Sequence, residues 1–496
     1  MNDPNGLVHA NGQYHLFYQY HPASIVWGPM HWGHAVSRDL VHWADRPIAL
    51  HPDGPNYVFS GSAVVDAAGV AGLGAGAIVA LFTNHDTTAQ ADGARDFQSQ
   101  HLAWSSDDGL SWTRHPANPV MRNVGETPDF RDPKVFWHTP SARWIAALAA
   151  GDRIEFWGSA NLVDWDKLSE FGAEVGSHVG VWECPDLFEL TAEGADTVAV
   201  AWVLLVSVTL GAPNGGSGTQ YFIGHFDGRR FEPDAEFSAL LAEQGAAWLD
   251  QGRDNYAGVT WSGEPSGRRI LIGWMNNWAY ARDVPAASWR GAMTVPTQLG
   301  LVRTQRGLRL RAWPIAELDG LRTATRALEP LMLDREIPLT DSADSTPMPG
   351  EIELEFDVSP GAPTVVGVEL TNSLGDVYRV GFDAVRNAYF SDRRRAGDVG
   401  FADEFANAVH YATRATTHAT ARIRLLLDVA SAELFADDGE VLMTDAFFPH
   451  EPFTGARIFC EGASVPLLGG RVHALRPAPV ERQRPAGPDH GRTEEN

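Results

Sequence analysis

The chain has 496 residues, 63 of them acidic and 38 basic, which gives a formal net charge of −25. A surface of that sign repels nucleic-acid phosphates and anionic lipids, so neither nucleic acid nor a membrane is an expected partner. The length favours two domains, and the only two cysteines, Cys184 and Cys460, exclude a disulfide framework. The sequence contains no run of 18 apolar residues, so no membrane-spanning helix is expected.

The first 310 residues alternate short apolar runs with turn residues. Such runs occupy residues 14–20, 78–82 and 203–208, and long amphipathic helical patterns are scarce. Short apolar runs bounded by turn residues predict β-strands. The sequence therefore predicts an all-β first domain.

A turn motif repeats three times among these strands: a serine, an Asp or Asn two positions later, and then a tryptophan. The copies lie at residues 37–43, 105–112 and 159–165, and residues 226–231 resemble a looser fourth copy. The Asp or Asn side chain bonds its own backbone in such a turn, and the tryptophan fills the layer between sheets. The spacing of roughly 50–70 residues matches one four-stranded propeller blade with its loops. We therefore predict a five-bladed β-propeller over residues 1–310.

The remainder of the chain predicts a second β domain. Residues 311–334 have the character of a linker or connecting helix, and polar and apolar residues alternate strictly over 351–358. Two strand-like runs flank residues 437–439 (Asp-Asp-Gly), which indicates a hairpin. We predict a β-sandwich over residues 335–475 and a disordered tail over 476–496.

Three carboxylates stand in distinctive local sequences. Asp3 and Asp132 each precede a proline, and Glu183 lies in a Trp-Glu-Cys-Pro-Asp run. A residue before proline favours extended backbone, which would hold each aspartate rigidly at the end of a strand. Each motif alone is weak evidence, because Asp-Pro is common in turns, but the three together form a recognisable set.

The order of these motifs resembles glycoside hydrolase family 32, which contains invertases, inulinases, levanases and fructan transferases. The resemblance runs through most of the chain, at residues 2–6, 17–22, 27–34, 59–63, 131–133, 183–185, 431–435 and 438–440. It implies a five-bladed propeller followed by a sandwich, in agreement with the repeats. It also implies cleavage of β-D-fructofuranosyl bonds with retention of configuration.

The resemblance implies a role for each acid. Asp3 would attack the anomeric carbon and form a fructosyl-enzyme intermediate, and Glu183 would act as general acid and then as base. Asp132 would bind the sugar through its hydroxyls as positive charge develops in the transition state.

A further set of residues would bind the fructosyl unit, because amides bond hydroxyls and aromatic rings pack on sugars. Core packing is the alternative for Trp27 and Phe59. Asn255, beside Tyr256, stands where the family more often has Phe. Arg131 would hold neighbouring carboxylates in place. The implied binding residues are Asn2, Gln19, Trp27, Phe59, Ser60, Arg131, Tyr256 and Trp278.

Neither a metal nor a cofactor is expected. The sequence has no His-Glu-x-x-His motif, and the glycines at 72–76 lack the spacing of a dinucleotide-binding loop. Cys184 lies beside Glu183, but no histidine is paired with it in the sequence, so a thiol mechanism is not predicted.

Within the family, residues 215–222, 273–278 and 289–294 resemble the fructan-degrading branch. Levan is favoured over inulin, and levan fructotransferases, which form a difructose anhydride, are the most similar type. Exo-levanase, exo-inulinase and sucrose invertase are the alternatives, since attack on the fructosyl-enzyme by water and not by a sugar hydroxyl gives hydrolysis. The substrate predicts a secreted protein whose leader is not present in this chain, and a homodimer is left open.

Two other classes fit less well. A sialidase-like propeller would share the turn at 105–112, but it would need an arginine cluster and a tyrosine nucleophile, for which Arg131 alone is a poor start. A non-catalytic fructan-binding propeller would lack one of the three carboxylates, and all three are present.

Overall fold

The structure is a computed structural model that describes residues 1–125, 127–193, 200–304, 306–340, 348–416 and 418–478. Strands dominate these residues. The α-helices among them are α1 (Thr87–Ala91) and α2 (Ala235–Gln244), and 3-10 helices occupy Thr139–Ser141, Ala316–Leu321 and Asp437–Gly439. In this described part of the chain, no helix is long and apolar enough to cross a membrane.

The first domain begins with three four-stranded antiparallel sheets, each built from four consecutive strands. The first sheet contains β1 (Pro4–Ala10), β2 (Gln13–Tyr20), β3 (His31–Ser37) and β4 (Trp43–Asp45). The second contains β5 (Asn56–Asp66), β6 (Ala77–Asp86), β7 (Gln98–Ser105) and β8 (Thr113–Arg114). The third contains β9 (Phe130–His138), β10 (Arg143–Ala150), β11 (Ile154–Ser159) and β12 (Asp166–Phe171).

Eight more strands complete this domain in one sheet made of two antiparallel sets. The first set is β13 (Trp182–Glu193), β14 (Val200–Val208), β15 (Gly218–Phe226) and β16 (Phe231–Pro233). The second is β17 (Tyr256–Thr260), β18 (Arg269–Trp274), β19 (Thr297–Thr304) and β20 (Gly307–Pro314). A short parallel pairing of β13 with β19 joins the two sets.

The first strands of successive sets form a closed ring. β1 contacts β5, β5 contacts β9, β9 contacts β13, β13 contacts β17, and β17 returns to β1. This arrangement, with each set of strands running outward from a common axis, is that of a β-propeller. The amino-terminal ends of the ring strands carry the three carboxylates, and they therefore meet at one end of the axis.

The repeated turn is present as predicted. In the first copy, Asp39 accepts hydrogen bonds through Oδ1 from the backbone N–H groups of Val41 (3.0 Å) and His42 (2.8 Å). The Trp43 indole then donates to the Leu40 carbonyl at 3.0 Å. The indoles of Trp112 and Trp165 make the equivalent bonds in the second and third copies, at 3.1 and 2.8 Å. The local motif thus closes each of these sheets in the same way.

The second domain is a sandwich of two antiparallel sheets around a buried apolar core. One sheet contains β21 (Arg322–Leu328), β22 (Leu331–Leu333), β24 (Gly350–Asp357), β29 (Thr420–Asp428), β30 (Ser431–Ala436), β31 (Val441–Ala446) and β33 (Val465–Leu475). The other contains β23 (Ile337–Pro338), β25 (Thr364–Thr371), β26 (Val377–Asp383), β27 (Ala388–Arg395), β28 (His410–Thr413) and β32 (Gly455–Gly462). The predicted hairpin is confirmed, because β30 and β31 pair across residues 437–439.

The segment at 311–334, for which the sequence predicts a linker or connecting helix, contains short elements of both kinds of secondary structure. Strand β20 runs through its first four residues to Pro314, and a 3-10 helix follows at Ala316–Leu321. β21 and β22 then pair with β33, so most of the segment belongs to one domain or the other. The strand β21 is largely exposed and has no apolar alternation, so its sequence carries no strand signal. The tail predicted to be disordered lies outside the described residues after 478.

The two domains share a core. Leu426, Phe435 and Leu442 of the sandwich pack in one buried cluster with Leu310 and Ala312 of β20. Each fully buried leucine or phenylalanine contributes about 1.5–3 kcal/mol relative to exposure. The sandwich is therefore attached to the propeller by an apolar interface and not only by the chain.

Candidate active site

The ring strands are irregular where they face the axis. Each ring strand has a register shift in its pairing, and each shift lies beside a residue that the sequence singled out. A bulge re-aims a side chain that regular pairing would direct into the sheet. The residues at these shifts are Asn5 on β1, Ser60 on β5, Asp132 on β9, Glu183 on β13 and Tyr256 on β17, and Asp3 lies two positions before Asn5.

Asp3 lies immediately before β1, and its side chain is 9% exposed. Asn2 donates through Nδ2 to Asp3 Oδ1 at 3.1 Å, and the backbone of Asp3 is paired with Gln19. Burial raises the pKa of Asp3 to about 7, and the charges of Glu183 and then Asp132 add to the rise, while the bond from Asn2 opposes it. The structure thus holds this carboxyl in a fixed position at an energetic cost to its ionised form.

Asp132 does not have the extended backbone that its proline predicted. Its φ is +61°, in the left-handed region, because it lies in the bulge of β9. Its N–H donates to Thr83 Oγ1 at 2.9 Å, and its Oδ2 accepts from the N–H of Cys184 at 3.1 Å. Burial raises the pKa of Asp132 to about 6, with Arg131 opposing and Glu183 adding. These tertiary bonds offset the strain that a non-glycine residue has at this φ.

Glu183 is the second residue of β13, and each of its carboxylate oxygens accepts a hydrogen bond. Arg131 donates from Nε to Oε1 at 3.1 Å, and the Tyr256 hydroxyl donates to Oε2 at 2.5 Å. Burial lowers the pKa of Arg131, but its carboxylate neighbours Glu183, Asp129 and Asp132 raise it on balance, so it stays a cation. Arg131 therefore screens the repulsion among the acids and fixes the plane of the Glu183 carboxyl.

The three acids line one cavity of about 400 Å³ that opens to solvent. Ten of the eleven residues that the sequence proposed as catalytic or binding groups line it: Asn2, Asp3, Gln19, Trp27, Phe59, Ser60, Arg131, Asp132, Glu183 and Trp278. Tyr256 lies behind Glu183, fully buried, and acts on the site through its hydroxyl. All eleven therefore belong to one site, ten by lining and one by support.

The aromatic side chains form one wall of the cavity. Trp27 is 41% exposed and meets Phe59 edge-on, with ring centroids 6.0 Å apart. Phe59 stacks on His85 at 4.3 Å. This partial exposure fits rings that receive a ligand and does not fit the core-packing alternative.

A polar network under Phe59 was missed by the sequence reasoning. Gln98 donates to His85 Nδ1 at 3.2 Å, and His85 Nε2 lies 3.0 Å from Gln90 Oε1. Gln98 Oε1 accepts from Arg131 Nη1 at 3.2 Å, and the same Arg131 nitrogen donates to Asp129 at 2.6 Å. Burial lowers the pKa of His85 to about 4, so its ring is neutral at pH 7. These hydrogen bonds connect the aromatic wall to Arg131, which donates to Glu183.

Phe97, Thr209 and Arg282 also line the cavity and were not proposed. Of the missed residues, Asp129 had a usable signal, since it lies three positions before Asp132. Among the described residues, no group of three or more His, Cys, Asp or Glu side chains is arranged to hold a metal ion.

Comparison with known proteins accounts for both domains. Residues 1–314 match the family model "Glycosyl hydrolases family 32 N-terminal domain", and residues 317–474 match "Glycosyl hydrolases family 32 C terminal". The chain belongs to glycoside hydrolase family 32. The propeller and the sandwich correspond to these two matches.

Family 32 relatives are similar over nearly the whole chain. The levanase of Bacillus subtilis strain 168 is 40% identical over 484 residues, which cover 96% of this chain and 68% of that protein. The extracellular exo-inulinase of Aspergillus niger strain CBS 513.88 is 35% identical over 502 residues, covering 96% of this chain and 92% of that protein.

Solved structures of similar proteins have the same fold. The exo-inulinase of Aspergillus awamori superposes with a TM-score of 0.86 at 33% identity, covering 96% of both chains. The β-fructofuranosidase of Schwanniomyces occidentalis complexed with fructosyl-erythritol gives 0.83 at 30% identity, covering 96% of this chain and 95% of that one.

Proposed function

We propose that this family 32 protein cleaves β-D-fructofuranosyl bonds of fructans, with levan preferred, by a retaining mechanism on a five-bladed propeller. The observation that carries the proposal is the cavity in which Asp3, Asp132 and Glu183 converge, with Arg131 and Tyr256 fixing Glu183. Relatives named levanase and exo-inulinase support the substrate class.

In the first step, a carboxylate oxygen of Asp3 attacks the anomeric carbon of the terminal fructosyl unit. The bond from that carbon to the leaving oxygen breaks, and Glu183 gives its proton to that oxygen. In the second step, Glu183 takes a proton from the acceptor hydroxyl, whose oxygen attacks the anomeric carbon and releases Asp3. Asp132 accepts hydrogen bonds from sugar hydroxyls while positive charge develops on the ring.

The electrostatics of the free site bear on where its proton lies. Part of the rise in the pKa of Asp3 comes from the charge of Glu183. The first step needs a proton on Glu183, and that proton removes the repulsion and favours the ionised form of Asp3. The Tyr256 hydroxyl and Arg131 both donate hydrogen bonds to Glu183 and hold its carboxyl in place.

The lining residues supply the binding contacts. Asn2, Gln19 and Ser60 offer amide and hydroxyl groups for sugar hydroxyls, and Trp27 and Phe59 offer ring faces. Trp278 lies at the rim, where the next unit of a fructan chain would contact it.

Residues 215–222 and 273–278, two of the stretches that resemble fructan-degrading enzymes, contact each other beside Trp278. The Ser217 N–H donates to Asn277 Oδ1 at 3.1 Å, and the Trp278 N–H donates to Ser217 Oγ at 3.0 Å. The resemblance of both stretches to fructan-degrading enzymes supports a polymeric substrate over sucrose. The acceptor is either water or a sugar hydroxyl of the same chain, the latter being the levan fructotransferase reaction. A polymeric substrate also supports secretion.

Product analysis tests the proposal. The protein would be incubated with levan, inulin and sucrose in parallel, and products identified by chromatography and mass. Free fructose from levan identifies a hydrolase, and a product one water lighter than difructose identifies intramolecular transfer. Activity confined to sucrose would contradict the fructan assignment, and no activity on any of the three would contradict the function itself.

A further inference from the structure

A loop of the propeller forms part of the rim of the cavity, and residues of both domains contact this loop. Residues 275–296 connect β18 to β19, and the turn within them places Trp278 and Arg282 on the cavity wall. The N–H groups of Tyr280 and Ala281 donate to the Asn277 carbonyl at 3.1 and 2.8 Å. Long loops of this kind need tertiary contacts to take one conformation.

On the propeller side, Asn277 anchors the start of the turn. Its side chain is completely buried and donates to the Arg253 carbonyl at 2.7 Å. The loop at Gly216 packs so closely on it that a Cβ there would lie 2.0 Å from Asn277 Oδ1. This anchor fixes one end of the turn, and Tyr280 lies at its other end.

Tyr280 points away from the cavity and into the second domain. It is 1% exposed, and its ring meets Phe405 edge-on at 5.1 Å in a small apolar cluster. Its hydroxyl donates to Asp254 Oδ1 at 2.6 Å and accepts from Arg393 Nη2 at 2.7 Å. The turn is therefore held from outside the cavity by a bond across the domain interface.

Arg393 belongs to β27 of the sandwich and is completely buried. Besides Tyr280, it donates to Asp254 Oδ2 at 2.5 Å, to the Ala446 carbonyl at 2.9 Å and to the Phe405 carbonyl at 2.9 Å. Burying an ion pair costs desolvation free energy, and apolar side chains in its place are often as stable. The burial of the Arg393–Asp254 pair is therefore weak evidence that its role is only to stabilise the fold. Its directional bonds instead fix the position of what they touch.

We propose that Arg393 of the sandwich is a positioning residue for the substrate-binding rim: by holding Tyr280, it fixes the turn that presents Trp278 and Arg282 to the fructan chain. The inference rests on the proposed function for the identity of the substrate. It gives the second domain a part in substrate binding although none of its described residues lines the cavity.

The test compares Tyr280→Phe and Arg393→Lys with the parent protein. Tyr280→Phe removes only the hydroxyl that Arg393 and Asp254 hold, and Arg393→Lys keeps the charge while losing the forked geometry. We expect KM for levan oligosaccharides to rise about tenfold, equivalent to about 1.4 kcal/mol of binding, with kcat within about twofold. A purely structural defect would lower the active fraction, and so the apparent kcat, with KM unchanged.

Tyr389→Phe is the matched control. Tyr389 is a buried tyrosine of the sandwich whose hydroxyl donates to Asp437 at 2.8 Å, and Asp437 is paired with Arg414. The control has the same chemistry within the sandwich, and we expect both KM and kcat to stay at the parent values.

Hydrogen–deuterium exchange of the peptide covering residues 275–290 separates this inference from the proposed function. Faster exchange there in Tyr280→Phe and Arg393→Lys, and not in Tyr389→Phe, supports the positioning role. Unchanged exchange together with unchanged KM overturns it. A parent protein inactive on levan, inulin and sucrose overturns the proposed function, and the exchange rates then still decide whether Arg393 holds the turn.

Discussion

Asp3 is the proposed nucleophile and its burial lowers stability, so Asp3→Asn should change both activity and stability. Burial and neighbouring charge raise its pKa from 3.8 to about 7. Between these two values the native state binds more protons than the unfolded state, so stability falls as pH rises through this window. Asparagine has no charge to desolvate, and its side-chain oxygen can still accept the bond from Asn2.

The magnitude follows from about 1.36 kcal/mol per pKa unit. Asp3→Asn should increase the free energy of unfolding by on the order of 2 kcal/mol at pH 5 and 4 kcal/mol at pH 8. Activity should fall by about 10⁴-fold or more, because the proposed nucleophile is gone. Urea unfolding followed by tryptophan fluorescence at both pH values measures the first effect, and initial rates on levan measure the second.

The control is Asp357→Asn, since Asp357 is an exposed aspartate at the end of β24. It should change neither the activity nor the pH dependence of unfolding. An Asp3→Asn protein no more stable than the parent at pH 8 would refute the electrostatic reasoning, and one that cleaved levan at the parent rate would refute the nucleophile.

Three further predictions follow from the site and the repeated turns. Tyr256→Phe removes the hydroxyl that donates to Glu183, so initial rates should show kcat/KM for levan lowered by about 10- to 100-fold and a shifted pH profile of activity. A mere loss of folded protein would lower the rates but leave the pH profile unchanged. Trp27→Ala removes a half-exposed ring from the cavity wall and should raise KM with kcat nearly unchanged, and an unaltered KM would exclude a stacking role. Asp39→Ala removes the acceptor of two backbone N–H groups in the first repeated turn. Urea titrations should show the free energy of unfolding lowered by about 0.5–2 kcal/mol, while activity at 25 °C stays at the parent level.

Local patterns in the sequence predicted local structure well. The Ser-x-Asp turns depend on bonds between residues two to four positions apart, so their motif was sufficient to place them. The hairpin at 437–439 was predictable for the same reason. The three carboxylates were found by motif order, and the structure brings them into one cavity.

Features that depend on distant partners could not be predicted. The positive φ of Asp132 arises from a bulge held by Thr83 and Cys184, which overrode the preference set by Pro133. The network through His85 and Gln98 joins side chains from different strands that no spacing rule relates. The bond between Arg393 and Asp254 spans 139 residues and two domains, and no local signal marks either partner.

The most direct test of the central claim is to trap the intermediate. Glu183→Gln would be given a fructosyl donor whose leaving group needs no proton, so that the first step proceeds while the second is slow. Mass analysis of the digested protein should find the mass of one fructose less one water added to the peptide that contains Asp3. An adduct on another residue, or turnover of the donor with no covalent adduct and inverted configuration in the product, would contradict a retaining mechanism through Asp3.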